Sequence, residues 1–392
     1  MLDSVTIRTS DFIQYSTKHF TKAKSQELKG KFGVFGKTVT HYTSYPKQCA
    51  SEGRYFPQVQ ILERLRKTKH GLIPQSRTLD IQVSLPKLIF GSNIFDFDEK
   101  LLPLAADKLA QSLLEIDIRV TVFEILNAIV TRVDFSKMIQ ISPSYGTTDR
   151  ILRALMPYDM KQSSDFNRRD YHDGKDGFYI KFFNSSQGFV IYNKFDEIVT
   201  NGKTNLEQEI GRQYKQGKWT KGALRIELSL QKKQTVDSAM RQFSGEKKKN
   251  YTLQDVVKNH IAKACLLRTF ESVYIKDFNR LLRLEGLKDT ELMLIIKDNT
   301  TSLHDRAILY YLAHSVRDRG LKSTIEELKR HTSPATVGRY KKLIEKILGE
   351  VEAKKDVLNP VSYLHRKLKA FNPVLPKKLI NILDVADEVN KL

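Results

Sequence analysis

Short runs of β-branched and aromatic residues recur through the first part of the chain and constrain its fold more than any other feature. Apolar and polar residues alternate within several of these runs, which is typical of strands with one buried face. An NSSQG segment at 184–188 is typical of a turn between two strands, and apolar residues at helical spacing predict a helix at 101–116. The pattern predicts an antiparallel sheet flanked by helices. The runs include LDIQVSL at 79–85, TRVDFSK at 131–137, GFYIKFF at 177–183, GFVIYNKF at 188–195 and GALRIELSL at 222–230.

The character of the sequence changes after residue 243. The following segment, SGEKKKN, is polar, basic and glycine-containing, and beyond it the periodicity is almost wholly helical. We therefore predict an α+β chain with a sheet domain at 1–243, a basic linker at 244–252 and a mostly α-helical domain at 253–392.

The charge of the chain points to a polyanionic partner. Its 66 Lys and Arg residues against 45 Asp and Glu residues give a net charge of +21, which attracts nucleic acid or an anionic membrane. No run of about 18 apolar residues is present to span a bilayer, and the first residues, MLDSVTIRTSDF, do not resemble a signal peptide. Nucleic acid is thus the favoured partner, and two cysteines without a metal or disulfide pattern favour a cytoplasmic location.

Ionisable and nucleophilic side chains interrupt four of the predicted strands. Residues two apart on a strand share a face, so three of these strands are each expected to present two such side chains together. Carboxylates clustered in apolar surroundings need a counter-charge, and oxygen ligands favour Mg²⁺ or Mn²⁺. Ordinary surface ion pairs and a packing tyrosine are the alternative interpretation. The residues are Asp80, Arg132 with Asp134, Tyr192 with Lys194, and Arg225 with Glu227.

The residue patterns of these segments and their order along the chain resemble those of the filamentous-phage gene II family of rolling-circle replication initiators. The resemblance covers about residues 78–235 and departs from the family pattern at Asp80, where a Glu is expected, and at Pro86, which stands one place late. Its segments are SLPKLIFGSNIFDFDEKLLPLAADKLAQSL at 84–113, then TRVDFS, IYNKFDE and LRIELSLQKK.

The resemblance implies a nicking and joining enzyme whose catalytic domain is 1–243. Tyr192 would be the nucleophile that forms a 5′-phosphotyrosine and frees a 3′-OH primer, and Lys194 would be its companion. Asp80, Asp134 and Glu227 would bind Mg²⁺ or Mn²⁺, and Glu197 is a candidate proton acceptor. Host helicase and polymerase would be partners in the bacterial cytoplasm.

Several basic segments are candidate DNA contacts. Residues 323–348 read as a helix-turn-helix whose second helix exposes Arg339, Lys341 and Lys342; an ordinary helical hairpin with a basic face is the alternative. Arg132 and Arg225 are further candidates, and Trp219 is either a base-stacking residue or a packing residue.

Two other functions fit parts of the sequence. A DNA-binding replication initiator or regulator without chemistry would explain the charge and the helix-turn-helix. A plasmid relaxase would use similar chemistry, but no two of the nine histidines are separated by a single residue as in the common relaxase motif. The sequence does not distinguish a phage replicon from a plasmid.

Overall fold

The computed structural model describes residues 1–20, 22–30, 33–141, 147–155, 166, 168–174, 177–219, 221–275, 289–319, 321–353 and 360–376. Within these ranges the strands are β1 (Leu2–Thr9), β2 (Ile13–Gln14), β3 (Lys22–Gly30), β4 (Gly33–Tyr42), β5 (Gln58–Thr68), β6 (Gly71–Ser84), β7 (Ile118–Arg119), β8 (Ile129–Ile141), β9 (Arg168–Gly174), β10 (Gly177–Phe183), β11 (Gln187–Asn193) and β12 (Gly222–Leu230).

The helices of the described part fall between and after these strands. They are α1 (Tyr45–Ser51), α2 (Leu85–Phe90), α3 (Leu102–Leu114), α4 (Val122–Leu126), α5 (Thr148–Leu155), α6 (Lys194–Asn201), α7 (Asn205–Lys215), α8 (Lys233–Phe243), α9 (Leu253–Val256), α10 (Asn259–Phe270), α11 (Asp289–Asn299), α12 (Leu303–Arg319), α13 (Leu321–His331), α14 (Pro334–Ala353) and α15 (Pro360–Ala370).

Ten of the described strands form one antiparallel sheet in the order β3-β4-β5-β6-β1-β8-β12-β11-β10-β9. The predicted α+β class is therefore confirmed. The predicted turn at 184–188 is a tight hairpin in which the Asn184 side chain accepts hydrogen bonds from the backbone N–H groups of Ser186 (2.7 Å) and Gln187 (2.9 Å).

The two faces of the central strands differ in chemistry. One face is apolar and buried, and its Phe182 packs edge-on against Tyr274, which follows α10, at 5.9 Å between ring centroids. The other face, which we call the polar face, carries Asp134 of β8 and Arg225 and Glu227 of β12. Register places these side chains on one side, because Asp134 lies opposite Ser229 and Glu227 lies opposite Ser136. Functional groups of several strands thus meet on the polar face.

The hydrophobic core of the sheet continues past the predicted linker at 244–252. Tyr251 is buried, and its carbonyl accepts a hydrogen bond from Val130 N at 2.9 Å. Residues of α9, α10 and α15 share the core of the sheet, whereas those of α11 to α14 form a separate core. The helical domain predicted at 253–392 is thus divided between two cores in the described part; its residues 276–288, 354–359 and 377–392 lie outside the described ranges.

The predicted helix-turn-helix coincides with α13 and α14, which residues 332–333 connect. Ser333 Oγ accepts a hydrogen bond from Thr336 N at 3.3 Å, which is the geometry of a helix N-cap. Cys49 and Cys265 are both buried free thiols. No helix of the described ranges is long and apolar enough to cross a membrane.

Candidate active site

Tyr192 lies near the end of β11 and on the polar face. It is opposite Arg225 of β12 on one side and Tyr179 of β10 on the other. Its side chain is half-buried, and its hydroxyl donates a hydrogen bond to Glu227 Oε2 at 3.3 Å. Burial and the nearby Glu227 raise the pKa of Tyr192 well above 10, so the hydroxyl needs a proton acceptor before it can act as a nucleophile.

Glu227 is the candidate proton acceptor, because it accepts the hydrogen bond of the Tyr192 hydroxyl. Burial and the neighbouring Asp3 raise its pKa to about 7, Asp134 adds to this increase, and Arg225 opposes it. A carboxylate with a pKa near neutrality can take up a proton and release it again at working pH. The Tyr192–Glu227 pair therefore has the geometry and the pKa for general base catalysis.

Arg225 supplies the central positive charge and is fully buried, at 0% exposure. Its guanidinium contacts Asp3 Oδ1 and Ser136 Oγ, both at 2.8 Å, and donates to the carbonyl oxygen of Asn93. It also lies 3.6 Å from Glu227 Oε2. Arg225, which the sequence pattern placed among the DNA contacts, is thus enclosed by protein and balances the charge of the acids around it.

Two of its partners, Asp3 and Asn93, were not predicted from the sequence. Asp3 lies at a register shift of β1 between Leu2 and Ser4; such a bulge changes the direction of a side chain relative to strict alternation. Asn93 follows α2, whose C-terminus is capped by Gly91 with a positive φ of 76°. The segment at 84–113, which has the strongest family resemblance, therefore contributes a backbone carbonyl that binds Arg225.

Lys194 reaches Tyr192 from a helix and not from a strand. The prediction that it continues the strand is wrong, because β11 ends at Asn193, whose side chain caps the first turn of α6. Lys194 is fully buried, and its Nζ lies 5.8 Å from the Tyr192 ring centroid and 2.5 Å from Glu197 Oε2. Burial lowers its pKa, and Glu197 opposes this effect.

The three acids predicted to bind a metal do not form one site. Asp134 is buried and contacts the Ser4 hydroxyl and Arg132, the latter at 3.2 Å. Asp80 lies opposite Arg8, four residues from Ser4 on β1 and thus about 13 Å away along the strand.

Asp80 is also committed to another partner. Its two carboxylate oxygens accept hydrogen bonds from Arg8 at 2.6 and 2.7 Å. In the described ranges, no three His, Cys, Asp or Glu side chains are grouped as metal ligands. The predicted set of ligands therefore does not fit a divalent cation. Its counter-charges come from Arg8 at Asp80, from Arg132 at Asp134, and from Arg225 and Lys194 near Glu227.

The remaining predicted DNA contacts lie at the surface. Arg132 is on the polar face with 39% of its side chain exposed. Arg339, Lys341 and Lys342 are exposed on α14, although Arg339 also pairs with Asp305 of α12 at 3.2 Å. Trp219 is 37% exposed and contacts Phe195 at 4.9 Å between centroids.

An antiparallel sheet with a partly buried Tyr–Glu pair beside a buried arginine, together with an excess of basic charge, favours a protein that acts on nucleic acid. The model of the Phage_CRI family, described as the N-terminal part of the replication-associated gene II protein, matches residues 34–252, which is more than half of the chain. The chain belongs to this family and is a rolling-circle replication initiator that binds DNA. No curated protein and no solved structure matches it.

Proposed function

We propose that the chain nicks one strand of origin DNA through Tyr192 and later rejoins the displaced strand. The observation that carries this proposal is the hydrogen bond from Tyr192 to Glu227 on the polar face, inside the region that matches the family. A tyrosine that only filled space would not need a partly buried carboxylate with a pKa of about 7 at its hydroxyl.

In the nicking step, Tyr192 Oη attacks the scissile phosphorus and its proton passes to Glu227. The bond between Oη and phosphorus forms as the bond from phosphorus to the 3′ oxygen breaks. The 3′ oxygen takes a proton from solvent and becomes the 3′-OH primer, while the 5′ phosphate remains on Tyr192. The phosphotyrosine conserves the energy of the phosphodiester bond, so rejoining needs no ATP.

Rejoining is the reverse of this step. A 3′-OH attacks the phosphotyrosine and releases its proton to solvent. The phosphodiester bond forms as the bond between phosphorus and Tyr192 Oη breaks, and Tyr192 leaves with a proton returned by Glu227. The same carboxylate therefore acts as base in nicking and as acid in joining, as microscopic reversibility requires.

Two buried cations support the charge that develops in these steps. Lys194 lies over the Tyr192 ring and stabilises negative charge on the phenolic oxygen and the phosphate. Arg225 holds Glu227 and Asp3 in place. Glu197 is bound to Lys194, so we assign it to positioning that lysine and assign the proton to Glu227.

We also propose a requirement for Mg²⁺ or Mn²⁺, which rests on the family resemblance. Because the predicted carboxylates do not form one site, no step above depends on a cation. Adduct formation measured in EDTA and with added Mg²⁺ tests the requirement: full activity in EDTA would contradict it. Host helicase and polymerase, which would unwind and extend the nicked strand, are proposed partners on the same basis.

Trapping the covalent intermediate tests the proposed function. Supercoiled origin DNA is incubated with the protein, denatured with detergent and examined for a protein–DNA adduct. We expect an adduct with the unchanged chain and none with Tyr192→Phe. The matched control is Tyr179→Phe, which alters the tyrosine opposite Tyr192 on β10 and should keep the adduct. Binding without an adduct in the unchanged chain would favour an initiator without chemistry.

A further inference from the structure

We propose that a cavity beside Tyr192 binds one unpaired nucleobase of the strand being nicked. This inference rests on the proposed function for its biological role, but the binding itself is measured separately. The cavity has a volume of about 250 Å³ and opens next to Trp219. This is near the lower end of the range for ligand pockets, about 300 Å³, and suits a single base.

Register places the cavity on the polar face, one to two strands from the nucleophile. Met138 and Ala223 line the cavity; Met138 lies opposite Arg225, which is itself opposite Tyr192. Ala223 is two residues from Arg225 on β12, or about 7 Å along the strand. When a phosphate of the strand lies at Tyr192, the base of a neighbouring nucleotide can therefore reach the cavity.

Aromatic rings form the outer wall of the cavity. Phe195 stacks on Tyr214 with centroids 4.7 Å apart and an interplanar angle of 11°, and Trp219 contacts Phe195 at an angle of 51°. Trp219 remains 37% exposed. A partly exposed ring held in place by other rings is suited to stack against an unpaired base.

Hydrogen bonds and a buried ion pair hold another part of the lining in place. Val374 lines the cavity, and its backbone exchanges two hydrogen bonds with Asp96, at 2.9 and 3.0 Å. Asp96 is in turn paired with the buried Lys137 at 2.7 Å. The cavity is thus formed before DNA binds, which reduces the entropy cost of binding.

Polar side chains that line the cavity can bind the phosphates and the base edge of a nucleotide. Lys218 and Lys221 both line the cavity and are exposed on either side of Trp219, so they can neutralise flanking phosphates. Gln140 also lines it, and its amide provides a hydrogen-bond donor and acceptor for the edge of a base. An apolar peptide would not need the two lysines.

The intrinsic fluorescence of Trp219 tests the proposal, because it is the sole tryptophan of the chain. The full chain is titrated with an oligothymidylate of about 12 nucleotides and with an abasic oligomer of the same length. Both carry the same phosphates, but only the first carries bases. We expect the oligothymidylate to quench Trp219 and the abasic oligomer to leave its emission unchanged.

Variants complete the test by anisotropy of labelled oligomers. Trp219→Ala should weaken oligothymidylate binding about 5- to 100-fold and leave abasic binding unchanged, whereas Trp219→Phe should keep most of the affinity. Phe123→Ala, which removes a 74% exposed ring from α4, is the control and should have no effect.

Two outcomes would overturn the base site: equal quenching by the two oligomers, or no quenching at saturating oligothymidylate. Should Trp219→Ala fail to fold, the fluorescence of the unchanged chain still decides. The result is also independent of the chemistry, since Tyr192→Phe should lose the covalent adduct and keep the quenching.

Discussion

Glu227 is the residue at which the folding and the chemistry of this chain are most closely linked. Its carboxylate shares the polar face with Asp3 and Asp134, and the positive charges near it belong to Arg225 and Lys194. Burial and repulsion by Asp3 and Asp134 outweigh the attraction of Arg225 and Lys194, so the pKa of Glu227 rises to about 7. The free protein therefore keeps a carboxyl group that is costly to ionise, as is common at catalytic sites.

Replacing Glu227 with Gln should change stability and activity in opposite directions. A folded-state pKa above the unfolded value means that the stability from this group is fully present below pH about 4.5 and is lost as pH rises to about 7. At pH 8, Glu227→Gln should therefore raise the free energy of unfolding, on the order of 1–3 kcal/mol. Urea unfolding at pH 8 and pH 5 measures the effect, which should be small at pH 5.

The same substitution should slow adduct formation about 100-fold or more, because the tyrosine loses its base. In the unchanged chain, adduct formation should increase as pH rises through about 7, and this increase should be absent in Glu227→Gln. Glu52→Gln, at an exposed acid that pairs with Arg54, is the control for both measurements. A variant that is less stable at pH 8 would show that the carboxylate is a structural ion-pair member and not a strained base.

At the scale of elements, the strands from β3 to β6 extend the polar face away from Tyr192. Register places Lys24, Arg64 and Arg66 on this face, since Lys24 lies opposite Thr40, and Thr40 lies opposite Leu62 of β5. All three cations are exposed. The acids of β3 and β5, Glu27 and Glu63, are on the other face by the same register, and Asp80 of β6 is neutralised by Arg8.

This separation of charge predicts that duplex DNA lies along the polar face of β3 to β6. Arg64→Gln with Arg66→Gln should weaken duplex binding and reduce the slope of log affinity against log salt by about 2. Lys37→Gln with Lys67→Gln removes the same charge from the other face and is the control. Fluorescence anisotropy at several salt concentrations measures both slopes. Equal reductions in the two double variants would mean that the strands attract DNA only through their overall charge.

Alternation in the sequence was sufficient to predict the strands that carry the site. The run at 222–230 is β12 without any shift, and the run at 131–137 lies inside β8. Both strands lie in the middle of the sheet, where one buried face leaves a clear apolar period. Tyr192 and Glu227 were therefore expected on strands, and their hydrogen bond follows from the pairing of β11 with β12.

The rest of the site depends on features that alternation does not contain. Asp3 enters through a bulge in β1, and Lys194 enters because Asn193 starts a helix directly after the tyrosine. A spacing of two residues places side chains on one face only while the strand continues. Asp80 was expected near the other acids, but Arg8, also on the polar face, binds it far from Tyr192.

At the scale of the whole molecule, the candidate active site and the candidate origin-binding helices belong to two separate hydrophobic cores. The core of the sheet supports Tyr192 and its partners and includes α10 and α15. The second core joins α11 to α14 and presents the basic surface of α14. Chemistry and origin recognition are therefore expected to be separable by mutation, since additivity holds for sites without shared partners.

Lys341→Ala with Lys342→Ala should weaken binding to duplex origin DNA and lower its salt slope by about 2. Adduct formation on a single-stranded oligonucleotide that contains the nick site should stay unchanged, because the residues that react lie in the other core. Lys329→Ala with Arg330→Ala, at the exposed end of α13, is the matched control and should alter the slope less. An unchanged slope in the first pair would identify α13 and α14 as an ordinary helical hairpin. Loss of the adduct on single-stranded DNA would show that the second core contributes to the chemistry, because the oligonucleotide offers α14 no duplex to bind.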